Sequence, residues 1–272
     1  MKYQEFTLVL IHNNEKDRLS RIIPKIKEVE LAGYKKVVKE YSQQKEIKYS
    51  FMQVMKCTLL FAITTIKWSN YLNKKKSFYN LYEILVIFLP FCSYSRYKKY
   101  RQKVAITHEA TLKHVNALKD FSRSMTNYAL ILESDAEIVD VKKLEDSLLD
   151  AIKQFKVHDY CYAIVGDGLN YNKLGINSIS KTSNSSLSIY EMPFTNTTVA
   201  YFVDIETARV ILQEIFRYPS NVPFFGADWL FNYAFIRLKA KRKQIKCITF
   251  HDRIIGHGSI SGSSESWQIK FN

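Results

Sequence analysis

Residues 128–138 read YALILESDAEI, and this stretch decides the fold. Five apolar or aromatic residues, Tyr128 to Leu132, run uninterrupted into Glu133, Ser134 and Asp135, which a continuous amphipathic helix does not do. The pattern predicts a fully buried, parallel strand whose carboxyl end opens on a polar turn. In open α/β sheets ligands bind just beyond the carboxyl ends of strands, so Glu133 and Asp135 fall where a substrate is expected. At i, i+2 in an extended or turning backbone both can reach one hard cation, and Mg²⁺ or Mn²⁺ takes one or two carboxylates plus substrate phosphates. A solvated acidic turn after a core strand is the plainer alternative.

Upstream, Phe6 to Ile11 reads as a first core strand, followed by the turn His12, Asn13, Asn14 and a helix through Arg18, Ile22, Ile23 and Ile26. This is the opening of a nucleotide-binding α/β unit, but without either glycine fingerprint of a phosphate loop. A long helix is expected from Val104 through Phe121, leading into the central strand. His108 and His114 on it are six apart and share a face poorly. Downstream, Tyr162 to Val165 predicts another buried strand ending in the turn Gly166, Asp167, Gly168. The stretch Thr182 to Ser188 reads as a polar loop.

The 272 residues are 47% hydrophobic, enough for a sizeable core, and no Pro- or Gly/Ser-rich linker divides them, so one globular unit spanning 1–272 is expected. Cys57, Cys92, Cys161 and Cys247 have no paired spacing, which argues against a zinc site or disulfide framework and for a reducing, cytoplasmic compartment. Of the net charge of +14, residues 35–103 carry 15 Lys/Arg against three acids. This segment holds two apolar stretches, Val54 to Ile66 and Leu81 to Cys92, rimmed by lysines, arginines and tyrosines. Both are shorter than the roughly 20 residues that span a bilayer. The segment reads as a basic, aromatic, helical insertion, either packed on the core or lying on an anionic membrane surface from the cytoplasmic side. Nucleic acid is disfavoured, because the lysines flank apolar helices and no recognised binding motif is present.

Several of these segments resemble glycosyltransferase family 25. The resemblance rests on VLIHNNEKDR (9–18) with Asn13 and Arg18, AITHEATLKH (105–114) with Thr107 and His108, and ALILESDAEI (129–138). TTVAYFVDIETA (197–208), Gly226 to Trp229, and His257, Gly258, Ser259 add to it. The family usually shows Glu-Asp-Asp where this chain has Glu133, Ser134, Asp135. The resemblance implies a GT-A type, Rossmann-like, mostly parallel sheet flanked by helices. It also implies transfer of a sugar from a nucleotide-sugar donor, UDP-linked by preference, to a glycan or lipid-linked glycan acceptor such as lipooligosaccharide or capsule, with inversion.

Under that resemblance Asn13, Arg18, His108, Glu133, Gly258 and Ser259 contact the donor, while Glu133, Asp135 and His257 hold Mn²⁺ or Mg²⁺. Asp228, at a helix start before the aromatic run Trp229 to Phe235, is the expected catalytic base, with a plain N-cap as the alternative. Two other classes stay open: a paired-carboxylate glycoside hydrolase, and a non-catalytic surface- or glycan-binding module that kept the fold.

Overall fold

Strand β3, Tyr128–Glu133, is an interior strand, third from one edge, of an eight-stranded sheet in the computed structural model, which describes residues 4–42, 48–72, 87–166, 171, 176, 178–181, 187–195 and 198–258. On one side it pairs in parallel with β1, Gln4–Ile11, and β1 pairs in parallel with β2, Tyr34–Tyr41. On the other it pairs antiparallel with β8, Ala200–Asp204. Beyond β8 come β5 (Cys161–Ile164), β9 (Lys246–Phe250), β7 (Leu187–Tyr190) and β6 (Ser180–Lys181). The pairings leave six of these strands running one way, with β8 and β7 opposed. This is a mixed α/β architecture with a mostly parallel sheet flanked by helices. The expectation that β3 is a parallel strand holds on one edge only.

Alternation along the strands explains why β3 reads as an unbroken apolar run. Tyr128, Leu130 and Leu132 enter the core beneath α1 (Lys16–Glu28) and α4 (Val141–Phe155). Ala129 and Ile131 enter the opposite core, beneath α3 (Tyr94–Ser122), α5 (Ile205–Ile215) and α6 (Ala227–Ala240). Strands β1 and β8 divide in the same way, Phe6, Leu8, Leu10 and Phe202 to one face, Val9, Ile11, Tyr201 and Val203 to the other. A sheet covered on both faces has no polar side to show.

The basic segment is organised differently from the expectation. Its first residues form edge strand β2 and so belong to the sheet; Lys36 is kept there because its ammonium caps α1, bonding the carbonyls of Ile26, Lys27 and Val29 at 2.9, 2.8 and 2.7 Å. Its last residues belong to α3, which starts ten residues earlier than expected because Ser93 Oγ accepts the Arg96 N–H at 3.3 Å and caps the helix. Between them, α2 (Phe51–Leu72) contains the first apolar stretch, and a short 3₁₀ turn, Leu89–Cys92, precedes α3. Residues 81–86 of the second stretch lie outside the described residues.

Helix α2 is tied to the main core by Trp68, whose ring lies 4.3 Å from that of Phe194, and by Phe61, which stacks on Phe225 at 4.0 Å. Its outer stripe alternates Met52, Leu59 and Ile63 with Lys56 and Lys67, all exposed. No helix among the described residues is long and apolar enough to cross a membrane.

Candidate functional site

The carboxyl ends of β1 and β3 and the start of α6 gather most of the titratable groups that matter. After β3 the chain turns into β4, Ala136–Ile138, which pairs antiparallel with β10, Ile255–His257, setting His257 opposite Ala136. Residues 255–257 are thus a strand. This ribbon brings His257 Nδ1 to 3.5 Å from Asp135 Oδ2, and the Gly258 N–H donates to the Asp135 carbonyl at 2.8 Å. Arg18 NH1 approaches the same Asp135 oxygen at 3.9 Å from α1. Arg18, Arg21 and Lys25 form the basic wall of a cavity of about 200 Å³ whose other wall is Ser134 to Ile138. Ser259 lies outside the described residues, as do Asp167 and Gly168 of the Gly-Asp-Gly turn and residues 182–186 of the polar loop.

Glu133 takes the other side. As an odd-numbered residue of β3 it faces α3, where Oε1 meets His114 Nε2 at 3.2 Å and accepts from Thr198 Oγ1 at 2.7 Å; His114 Nδ1 lies 3.2 Å from the Tyr201 hydroxyl. Burial pushes the Glu133 carboxyl up. The hydrogen bond and charge of His114, the Thr198 hydroxyl and the nearby His257 outweigh it and hold the carboxyl well below the usual range. Glu133 and Asp135 therefore look to separate partners. Among the described residues no three His, Cys, Asp or Glu side chains converge as a ready metal cage.

Ser134, in the middle of the acidic triplet, fastens the two strand ends together. Its N–H donates to the Ile11 carbonyl at 2.8 Å, and its hydroxyl to Glu15 Oε2 at 3.3 Å. Glu15 Oε2 also accepts the Asn13 N–H at 2.7 Å. The Asn13 side-chain oxygen accepts from the ammonium of Lys113, which donates as well to the His12 carbonyl at 2.9 Å. Lys113 is buried on α3, and burial lowers its pKa despite the charges of Glu109, Glu15 and Glu133.

Asp228 sits in the first turn of α6, but the N-cap position belongs to Gly226, at φ +120°, and no side chain caps the helix. Burial, reinforced by the Glu133 charge and opposed by the Trp229 backbone N–H, raises the Asp228 carboxyl to about 7. His108 is found with this second group. Its Nδ1 accepts the Phe224 N–H at 2.8 Å, its ring lies 5.3 Å from Tyr49 and 4.9 Å from Phe224, and burial lowers its pKa to about 4, so it is neutral at physiological pH. It anchors the loop before α6; the contacts it makes are structural rather than on the Asp135 side.

A side chain at Gly226 would strain a backbone that L-residues rarely adopt and place its Cβ 2.7 Å from Asp228 Oδ1. Gly226→Ala is expected to cost about 1–3 kcal/mol in a denaturant titration and to displace Asp228. An unchanged midpoint would show that the glycine is not required there.

Glu15, Lys113, Thr198 and Tyr201 were not singled out by the sequence reading, and His114 was considered only as a poor partner for His108. One signal for His114 was present: Thr111 and His114 fall on the same helical stripe as the buried Leu118 and Phe121, and a polar group on an apolar stripe needs a partner. No protein-family model and no curated protein sequence matches the chain.

Proposed function

We propose that the chain is a glycosyltransferase of GT-A type that moves a sugar from a nucleotide-sugar donor to a glycan acceptor with inversion. The observation that carries this reading is the divergence of two neighbouring carboxylates, Glu133 held low and Asp228 raised to about 7. Groups whose environments push their pKa values apart mark acid and base assignments, and a base is most effective with a pKa near the working pH.

In this reading Asp228 takes the proton from the acceptor hydroxyl as its oxygen bonds to the anomeric carbon. The bond from that carbon to the phosphate oxygen breaks on the opposite face, and the nucleoside diphosphate leaves with the electron pair. Arg18, with Arg21 and Lys25 along the same wall, offsets the charge of that leaving group. Where a divalent ion takes part, Asp135 and His257 would hold it, adding Lewis-acid stabilisation of the diphosphate. Glu133 is occupied by His114 and Thr198 and acts on Asp228 through its charge.

The test is a thermal-shift panel of UDP-, GDP-, CMP- and dTDP-sugars, each with and without Mn²⁺, on the wild type and Asp135→Ala. One nucleotide class is expected to raise the melting temperature, by mass action worth about 2.7 kcal/mol at a hundred times its dissociation constant, and the variant to lose the shift. The variant's own melting curve reports whether it is folded. No shift with any donor would sink the reading.

A paired-carboxylate hydrolase draws on the same split pair, with protonated Asp228 as acid and Glu133 as the charged partner. Release of sugar from a glycan with no nucleotide present would decide for it.

A further inference from the structure

The residues just before α2 and the first turns of α3 line a cavity of about 220 Å³ walled by Lys48, Tyr49, Tyr94, Tyr97, Lys98 and Arg101. Three of these residues are cations, and among the described residues no carboxylate lines the space. None of the three cations is ion-paired among the described residues. The Tyr97 hydroxyl is buried and has no hydrogen-bond partner there either. Tyr94 leaves 82% of its surface exposed at the rim. The buried Tyr162 hydroxyl also lacks a partner among the described residues, but it stands in the main core with no cation beside it, whereas the buried Glu214 meets Arg217, Arg237 and Lys241. Unneutralised cations, an unused buried phenol and aromatic walls in one cavity describe a place for an anion carried on a ring.

The neighbourhood identifies which molecule this serves. The Tyr49 ring meets the edge of His108, and His108 anchors the loop that delivers Asp228. Thr107, six residues after Arg101 on α3, comes within 3.5 Å of the Cβ position at Gly226. Six helical residues rise about 9 Å, so Arg101 stands roughly one short saccharide's reach along α3 from the loop that carries Asp228, with Lys98 nearly a turn farther. The donor-side groups, Arg18, Asp135 and His257, belong to other elements.

We infer that this cavity is an acceptor subsite for a phosphate ester borne on a saccharide, with the tyrosines against the sugar and Lys48, Lys98 and Arg101 on the phosphate. A phosphate monoester, at up to two negative charges, calls for more than one cation, whereas a single arginine satisfies a carboxylate in bidentate fashion. The inference rests on the transferase reading for its role, though the binding itself does not require transfer.

Calorimetric titration of the full chain, without donor, with glucose 1-phosphate, inorganic phosphate and glucose tests it. Glucose 1-phosphate is expected to bind tighter than either fragment and to lose tenfold or more in Lys98→Gln/Arg101→Gln. Tyr94→Ala, at an exposed position, should remove the advantage over inorganic phosphate while leaving phosphate binding in place. Equal binding to wild type and the double variant would overturn the subsite. So would no binding of glucose 1-phosphate alongside charge-dependent sedimentation with phosphatidylglycerol vesicles, which would make the cations a lipid-headgroup surface. Charge-dependent binding of glucose 1-phosphate with no thermal shift from any nucleotide sugar would keep the anion site and discard the transferase reading. The converse pair of results would do the opposite.

Discussion

Asp228→Asn is expected to lower kcat/KM for sugar transfer by roughly 10²- to 10⁴-fold while leaving the donor-induced thermal shift intact, because the amide keeps the shape and cannot accept the proton. The pH profile gives the same residue a second signature. With its carboxyl raised to about 7, the wild type should lose activity tenfold per unit as pH falls below that value, and the variant's residual rate should lack this limb. Stability should move the other way. A carboxyl whose folded pKa exceeds its unfolded value favours folding fully below the unfolded value, about 4, and that contribution is lost as pH rises through about 7. Above pH 7 the wild type carries an ionised, desolvated Asp228 that the amide variant does not, so the variant should melt no lower, and higher at pH 8 than at pH 4 by comparison with wild type. A variant that transfers sugar at the wild-type rate would remove Asp228 from the chemistry.

Trp68→Ala is expected to cost about 3–5 kcal/mol, a large part of the 5–15 kcal/mol that holds an ordinary domain folded. Trp68 is 2% exposed and belongs to the same core as Ile131, Phe121 and Phe231, although it stands on α2 within the basic segment. On the same helix, Met52 is 61% exposed, and Met52→Ser should stay within about 0.5 kcal/mol. Urea unfolding of the two variants measures how far α2 is built into the fold. A Trp68→Ala protein as stable as Met52→Ser would make α2 an appendage to an otherwise self-sufficient domain.

Periodicity carries the sheet. Phe6 to Ile11 and Tyr128 to Leu132 show no alternation because helices cover both faces, and that is what a run of apolar residues followed by polar turn residues records. It carries direction less well, since Ala200 to Asp204 would read alike in either sense; only the pairing shows β8 running against β3. Residues 34–41 misled for a different reason. An edge strand is half wet, so its lysines merge with those that follow, and the capping task of Lys36 depends on where α1 ends.

At the site, the chain named Glu133, Asp135 and Asp228 but not their relations. Two carboxylates at i, i+2 share a face only while the strand stays straight. Ser134 binds back to Ile11 and to Glu15, and past this turn Asp135 faces His257 while Glu133 faces His114. The partners come from 19 residues away in one case and from the far end of the described chain in the other. Lys113 is the hardest to foresee, since an isolated lysine on a basic helix ordinarily points at water.

The order of strands across the sheet also bears on synthesis. β2 is complete at residue 41, so β1 acquires one neighbour early, but its other neighbour, β3, begins only at residue 128. At 5–20 residues per second the nascent chain waits about 4–17 s with one edge of β1 unsealed. The residues made in that interval include the cationic segment, and like charges on neighbouring ribosome-bound copies repel. Such repulsion opposes edge-to-edge pairing of β1 between nascent copies until β3 is made.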